Sequence, residues 1–138
     1  MLYLGDASFW VALLNKSDPR HDEAVLLMGE VSGLRQATPP IVFTDYIFDE
    51  VVTTLRFRTR RHAQAAEAGR LLLAAKVARM VTIARPTFDR AWSLFQARKE
   101  RWWSFTDCTS FTIMEDLGIR SALSFDPDFR DAGFQTVP

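Results

Sequence analysis

Cysteine is nearly absent: Cys108 is the single one in 138 residues. That excludes an internal disulfide and fits a reducing compartment. Histidine is almost as scarce, and His21 and His62 lie too far apart for a local zinc motif and have no evident ligand partners. No apolar run approaches the roughly 18 residues that span a membrane. The opening Met1-Leu2-Tyr3-Leu4-Gly5-Asp6 has no basic flank and meets an acid too early for a secretion signal. A cytoplasmic protein with no membrane role is expected. An excess of one charge is also missing: 17 basic and 17 acidic residues give a formal net charge of zero, which argues against indiscriminate polyanion binding. There is no G-x-G-x-x-G, no phosphate-binding P-loop and no G-x-S-x-G elbow, so nucleotide-cofactor and serine-hydrolase chemistry fall away.

What is present is a core. Hydrophobic residues make up 48% of the chain and aromatic residues 12%, enough for one domain over residues 1–138 without staples. Met1 to Leu4 reads as a short buried strand, Phe9 to Leu14 as a helical turn or two, and His21 to about Gly33 as a helix. After Pro39-Pro40 the β-branched run Ile41-Val42-Phe43 reads as a strand. Thr44 is placed to cap a helix reaching about Arg60. A further helix is expected over His62 to about Ala78, then a strand from Met80 to Ile83. Pro86 suits the start of a helix running to about Arg101. Thr106 to Leu117 reads as a helix stopped by Gly118, followed by strands at Ser121–Phe125 and Phe134–Val137. Strands alternating with helices imply a parallel sheet with helices on both faces.

Four acids stand apart from the solvated charge. Asp6 and Asp126 each follow a strand, and ligand sites in open parallel sheets form beyond the carboxyl ends of strands. Taken singly, Asp6 or Ser8 can be a helix cap, and Asp126-Pro127-Asp128 a turn. In the helix after Thr44, Ile47, Phe48, Val51, Val52 and Leu55 span an arc of about 140° at the helical period. Glu50 falls just off the Ile47 edge and can reach a cleft rim, whereas Asp49 falls on the far side. Asp107 lies near the centre of a face formed by Ser110, Phe111, Met114, Leu117 and Gly118. An ionised carboxylate there is costly unless paired, capped or metal-bound. Ser104-Phe105-Thr106-Asp107 also has the spacing of a capping box, and Thr106 can orient a carboxylate or serve as the cap itself.

If all four acids meet, each like-charged pair about 4 Å apart repels by about 4 kcal/mol at an effective dielectric near 20. Such a cluster needs protonation or cations, and hard oxygen ligands with open positions suit Mg²⁺ or Mn²⁺ rather than zinc.

These residues together resemble the PIN domain, most closely the toxin subunits of VapBC-type toxin–antitoxin pairs. The resemblance runs nearly the length of the chain and rests on four ordered motifs: Asp6-Ala7-Ser8 after the first strand, Glu50 within Thr44-Asp45-Tyr46-Ile47-Phe48-Asp49-Glu50-Val51-Val52, Ser104-Phe105-Thr106-Asp107 opening a helix, and Leu123-Ser124-Phe125-Asp126-Pro127-Asp128-Phe129 after a strand. It implies a three-layer α/β/α sandwich around a mainly parallel sheet. It also implies an Mg²⁺- or Mn²⁺-dependent enzyme that hydrolyses RNA phosphodiesters, forms a homodimer and is neutralised by a cognate antitoxin. Asp6, Glu50, Asp107 and Asp126 would then be both metal ligands and catalytic residues, with Ser8, Thr106 and Asp128 behind them. Asp49 is a rival to Glu50, and Asp128 a rival to Asp126; helix phase favours Glu50, and position after the strand favours Asp126.

Other readings compete. An aspartate-nucleophile phosphatase also places an acid after its first strand, but wants a second acid two residues on, where Ser8 stands. A metal-free binding module of the same fold, or a housekeeping RNA-processing nuclease, would share much of the pattern. Phosphate contacts are expected from arginines such as Arg56 or Arg101. The run Arg56, Arg58, Arg60 and Arg61 reads by default as a solvated helix end. Trp102 and Trp103 can stack on bases, but core or dimer packing is the simpler expectation. Cys108 reads as a buried small hydrophobe.

Overall fold

The computed structural model describes residues 1–33 and 38–138. Its elements run β1 (Tyr3–Gly5), α1 (Ala7–Leu14), α2 (His21–Ser32), β2 (Ile41–Thr44), α3 (Asp45–Thr59), α4 (His62–Ala74), β3 (Ala78–Val81), α5 (Arg85–Ala97), α6 (Phe105–Leu117), β4 (Ser121–Leu123), α7 (Asp128–Asp131) and β5 (Gln135–Val137). The five strands form one sheet in the order β3-β2-β1-β4-β5. Every pairing is parallel, with Leu4 opposite Val42 on one side and Ala122 on the other. Right-handed crossovers, the near-universal choice for such units, put α1–α4 on one face and α5–α6 on the other. The expected α/β/α sandwich is therefore the observed fold.

Several boundaries differ from expectation. Helix α4 stops at Ala74 and β3 begins at Ala78, so the segment read as the end of a helix belongs partly to a strand. Helix α5 ends at Ala97 instead of near Arg101. Strand β4 ends at Leu123, which leaves Asp126 in the loop beyond it, before a short helix α7 that periodicity did not suggest.

The sheet is buried on both faces: β1, β2 and β4 contribute Leu4, Ile41, Val42, Phe43, Ala122 and Leu123 to the core. This explains why they read as unbroken apolar runs. Order reverses at β1, whose neighbours are β2 and β4; such a switch opens a crevice at the carboxyl ends of the strands. Gly5 closes β1 there because nothing larger fits. The Trp10 indole lies across it, donating from Nε1 to the Gly5 carbonyl at 2.9 Å, and a Cβ on Gly5 would sit 2.6 Å from that nitrogen. Among the described residues no helix is long and apolar enough to cross a membrane.

Candidate active site

Each acid reaches the crevice by a separate local device. Asp6 is the residue after β1, and its amide extends the β1–β4 ladder by donating to the Leu123 carbonyl at 3.0 Å. Its side chain is only 5 % exposed. The Asp6 Oδ2 accepts from the Ser124 hydroxyl at 2.9 Å and the Ser8 hydroxyl at 3.0 Å. Those serines also hold the opposite wall: Ser8 Oγ accepts from the Phe125 amide and Ser124 Oγ from the Asp126 amide, both at 3.0 Å. Two hydroxyls thus clamp the β1 exit to the β4 exit.

Glu50 comes from α3, which the Thr44 hydroxyl starts by accepting from the Ile47 amide at 3.1 Å. Ile47, Val51 and Leu55 anchor the helix in the core. Glu50 stands on the cleft rim, and Asp49 instead borders a shallow hollow with Asp45 and Tyr46. Asp107 sits in the first turn of α6. The capping box is complete: Ser104 Oγ accepts from the Asp107 amide, and Asp107 Oδ2 accepts from the Ser104 amide, each at 3.0 Å. The same carboxylate also faces the cleft, so capping and cleft-lining are two roles of one side chain. Asp126 completes the ring, its Oδ1 accepting from the Asp128 amide at 2.9 Å.

The cleft has a volume of about 370 Å³, and Asp6, Glu50, Asp107 and Asp126 all line it. The residues brought nearest to a single point differ slightly from the four: one oxygen each of Asp107, Asp126 and Asp128 lie within 4.8 Å of one another. Thr106 makes no side-chain hydrogen bond to these carboxylates among the described residues; its carbonyl accepts from the Thr109 hydroxyl at 2.6 Å. Arg56 and Arg101 are not on the cleft. Arg56 borders an apolar groove between α3 and α4, and Arg101 lies in the α5–α6 loop. Among the described residues the cations on the cleft wall are Arg20 and Arg58; the sequence drew no attention to Arg20 and placed Arg58 in a run read as a solvated helix end. Arg58 was legible, because Glu50, Thr54 and Arg58 follow at four-residue steps along one helix face.

The electrostatics are those of crowded, under-compensated acids. Burial pushes Asp107 up to about 7, helped by the charges of Asp6, Asp126 and Glu50 and opposed by the Ser104 amide. Asp6 is also raised by burial, against the pull of the Ser124 and Ser8 hydroxyls and the Ala7 amide. Glu50 is raised by desolvation first and then by Asp6, Asp126 and Asp49; Asp128 is raised by desolvation and then mainly by Asp126 and Asp131. Arg20 pairs with Glu23, and Arg58 lies 3.7 Å from Asp18. No lysine or arginine among the described residues pairs with any of the four cleft acids. Oxygen-only donors, fixed by serine hydroxyls and unbalanced by cationic side chains, fit a hard divalent ion. One oxygen each from Asp107, Asp126 and Asp128 lies close enough to the other two to serve as a ligand of a single ion.

Residues 3–135 match the PIN domain family. The chain belongs to that family. The PIN domain here is 38% identical over 134 residues to the protein named 23S rRNA-specific endonuclease VapC20 in two strains of Mycobacterium tuberculosis, CDC 1551 / Oshkosh and H37Rv. The match covers 96% of this chain and 95% of each relative. It also resembles the crystal structure of M. tuberculosis VapC20, described as a sarcin–ricin loop cleaving toxin, with a TM-score of 0.84 and 31% identity over 96% of this chain and 95% of that one. PIN nucleases use divalent metals, in keeping with the donor set in the cleft.

Proposed function

We propose that this PIN domain is a divalent-metal-dependent endoribonuclease, the toxin of a VapBC-type pair, with 23S ribosomal RNA as its substrate class. The observation that carries the reading is the convergence of Asp6, Glu50, Asp107 and Asp126, from four distant segments, on one cleft with no ion-pair partner among the described residues. The activity for which its relatives are named supplies the substrate. When bound, Mg²⁺ or Mn²⁺ supplies Lewis acidity that eases deprotonation of an attacking water and stabilises the leaving 3′-oxygen.

The chain's own residues do the remaining work. Asp6, Glu50, Asp107 and Asp126 hold the ions, with Asp128 beside Asp107 and Asp126 as a further oxygen donor. Ser8 and Ser124 fix the Asp6 carboxylate and the loop carrying Asp126. Thr106 orients solvent at the mouth of α6. The setting is cytoplasmic, the assembly a homodimer, and the regulator an antitoxin whose arginine or lysine lies against the carboxylates in place of metal charge.

Cleavage of ribosomal RNA by the purified protein tests this directly. Activity should require Mn²⁺ or Mg²⁺, vanish in EDTA, and be lost in Asp6→Asn and Asp107→Asn. Full activity in both variants would overturn the assignment.

A further inference from the structure

Acids that attract metal also repel the phosphates of the substrate, and among the described residues Arg20 and Arg58 are the cations on the cleft wall, so groups outside the cleft have a part in holding RNA. A second pocket, of about 350 Å³, opens at the junction of α5 and α6 and is lined by aromatic and cationic residues with no carboxylate among them. Phe95, Trp102 and Trp103 form its apolar walls, and Arg98, Lys99 and Arg101 its charged ones. Two elements link it to the acid cluster. Cys108, next in sequence to Asp107, lies in its lining, and Arg101 reaches within 3.8 Å of Asp131 in α7, the helix that begins at Asp128.

The two tryptophans have opposite fates. Trp103 is 6 % exposed, packed edge-on against Phe111 with centroids 5.0 Å apart. Trp102, its neighbour, is 98 % exposed. Tryptophan is enriched at interfaces, where its large face is covered on binding. The neighbouring cations face the Trp103 ring: the Arg98 and Arg101 guanidinium groups lie 5.2 and 5.8 Å from its centroid. Arg98 is further steadied by Glu100 at 2.6 Å, and Lys99 makes no ion pair among the described residues. A flat aromatic surface combined with fixed cations suits an unpaired nucleotide, because every base offers a π-face and every linkage a negative charge. The charged lining residues among those described are all cations, and Lys99, unlike Arg98 and Arg101, has no carboxylate partner there, which favours a phosphate-bearing ligand.

We propose that this pocket is an RNA subsite, in which Trp102 stacks on one unpaired base flanking the scissile bond while Arg98, Lys99 and Arg101 hold the adjoining phosphates. The proposal rests on the ribonuclease reading and names the place where that enzyme grips a neighbouring nucleotide.

The test uses the full-length protein in EDTA, which stops turnover, and a fluorescent sarcin–ricin loop oligoribonucleotide read by anisotropy. Trp102→Ala should weaken binding by about 5- to 150-fold, the range of one base–aromatic stack. Trp102→Phe should restore most of it. Lys99→Gln should flatten the slope of log affinity against log salt by about 0.7, as expected for one phosphate contact to a single strand. Melting temperature and solution mass should not change in any variant. Wild-type affinity in Trp102→Ala, with cleavage by both proteins intact, would overturn the subsite alone. Loss of a dimer in Trp102→Ala with RNA affinity unchanged would do the same and assign the indole to a protein interface. A wild-type protein that neither binds nor cuts RNA would overturn the ribonuclease reading and this subsite with it.

Discussion

Asp107→Asn should make the metal-free protein more stable above neutral pH while destroying its activity. Asp107 is 9 % exposed, and its carboxyl is raised from 3.8 to about 7. The unfolded chain therefore releases this proton near pH 4, and the folded one holds it until about pH 7. Stability from this group is full below pH 4, declines as pH rises toward 7, and stays low above it. A rise from 3.8 to about 7 corresponds to at most ~4 kcal/mol. Water entering the open cleft reduces this, leaving roughly 2 kcal/mol as the working figure. Asparagine keeps the shape and can still accept from the Ser104 amide, so the capping box survives without the charge. For a chain of this length, 2 kcal/mol raises the melting temperature by roughly 6–7 °C. The assay is thermal unfolding in EDTA at pH 4.5 and pH 8. The variant should exceed the wild type at pH 8, and the gap should shrink at pH 4.5. Adding Mn²⁺ at pH 8 should reverse the order, because only the wild type binds it tightly. A variant that melts lower than the wild type at both pH values would refute the idea that Asp107 is an uncompensated buried charge.

Three further outcomes follow from the packing around the site. Ser124→Ala removes the donor to Asp6 and the acceptor for the Asp126 amide; it should cost about 1–3 kcal/mol in urea unfolding and weaken Mn²⁺ binding by calorimetry about 10- to 100-fold. Gly5→Ala forces a methyl against the Trp10 indole, so unfolding should show a loss of about 1–3 kcal/mol, with activity falling as Asp6 is displaced. Cys108 is fully buried, and its thiol is pushed up to about 11 by burial and the Asp107 charge. At pH 8 it should react with a disulfide reagent only after denaturant is added.

The fold was legible because β1, β2 and β4 are buried on both faces and read as short apolar runs between helical segments. The end of α4 was not, since Leu72 to Met80 contains no glycine or proline to mark the stop, and β3 carries Arg79 and Met80 outward with no alternating pattern. Placing Glu50 on the cleft side of α3 succeeded because Ile47, Val51 and Leu55 fix the phase of that helix. The same argument was weaker for Asp107: residues 107–114 are all buried, so no single face of α6 stands out, and Leu117 is 38 % exposed. The structure places Asp107 by its first-turn position under the Ser104 cap, a spacing that in the sequence stood as the rival to a cleft role. Ser124 escaped notice because its contact with Asp6 spans 118 positions and depends on β1 and β4 lying side by side. Asp128 looked like the lesser neighbour of Asp126 in sequence, yet α7 turns its carboxylate toward Asp107 and Asp126.

The serine clamp between the β1 and β4 exits ties the cleft to the integrity of the sheet. Asp6 and Ser124 are 118 positions apart in the chain, so the hydroxyl that fixes the Asp6 carboxylate is in place only while β4 lies paired beside β1. Any opening that frees β4 from β1 therefore also releases Asp6 and the loop carrying Asp126.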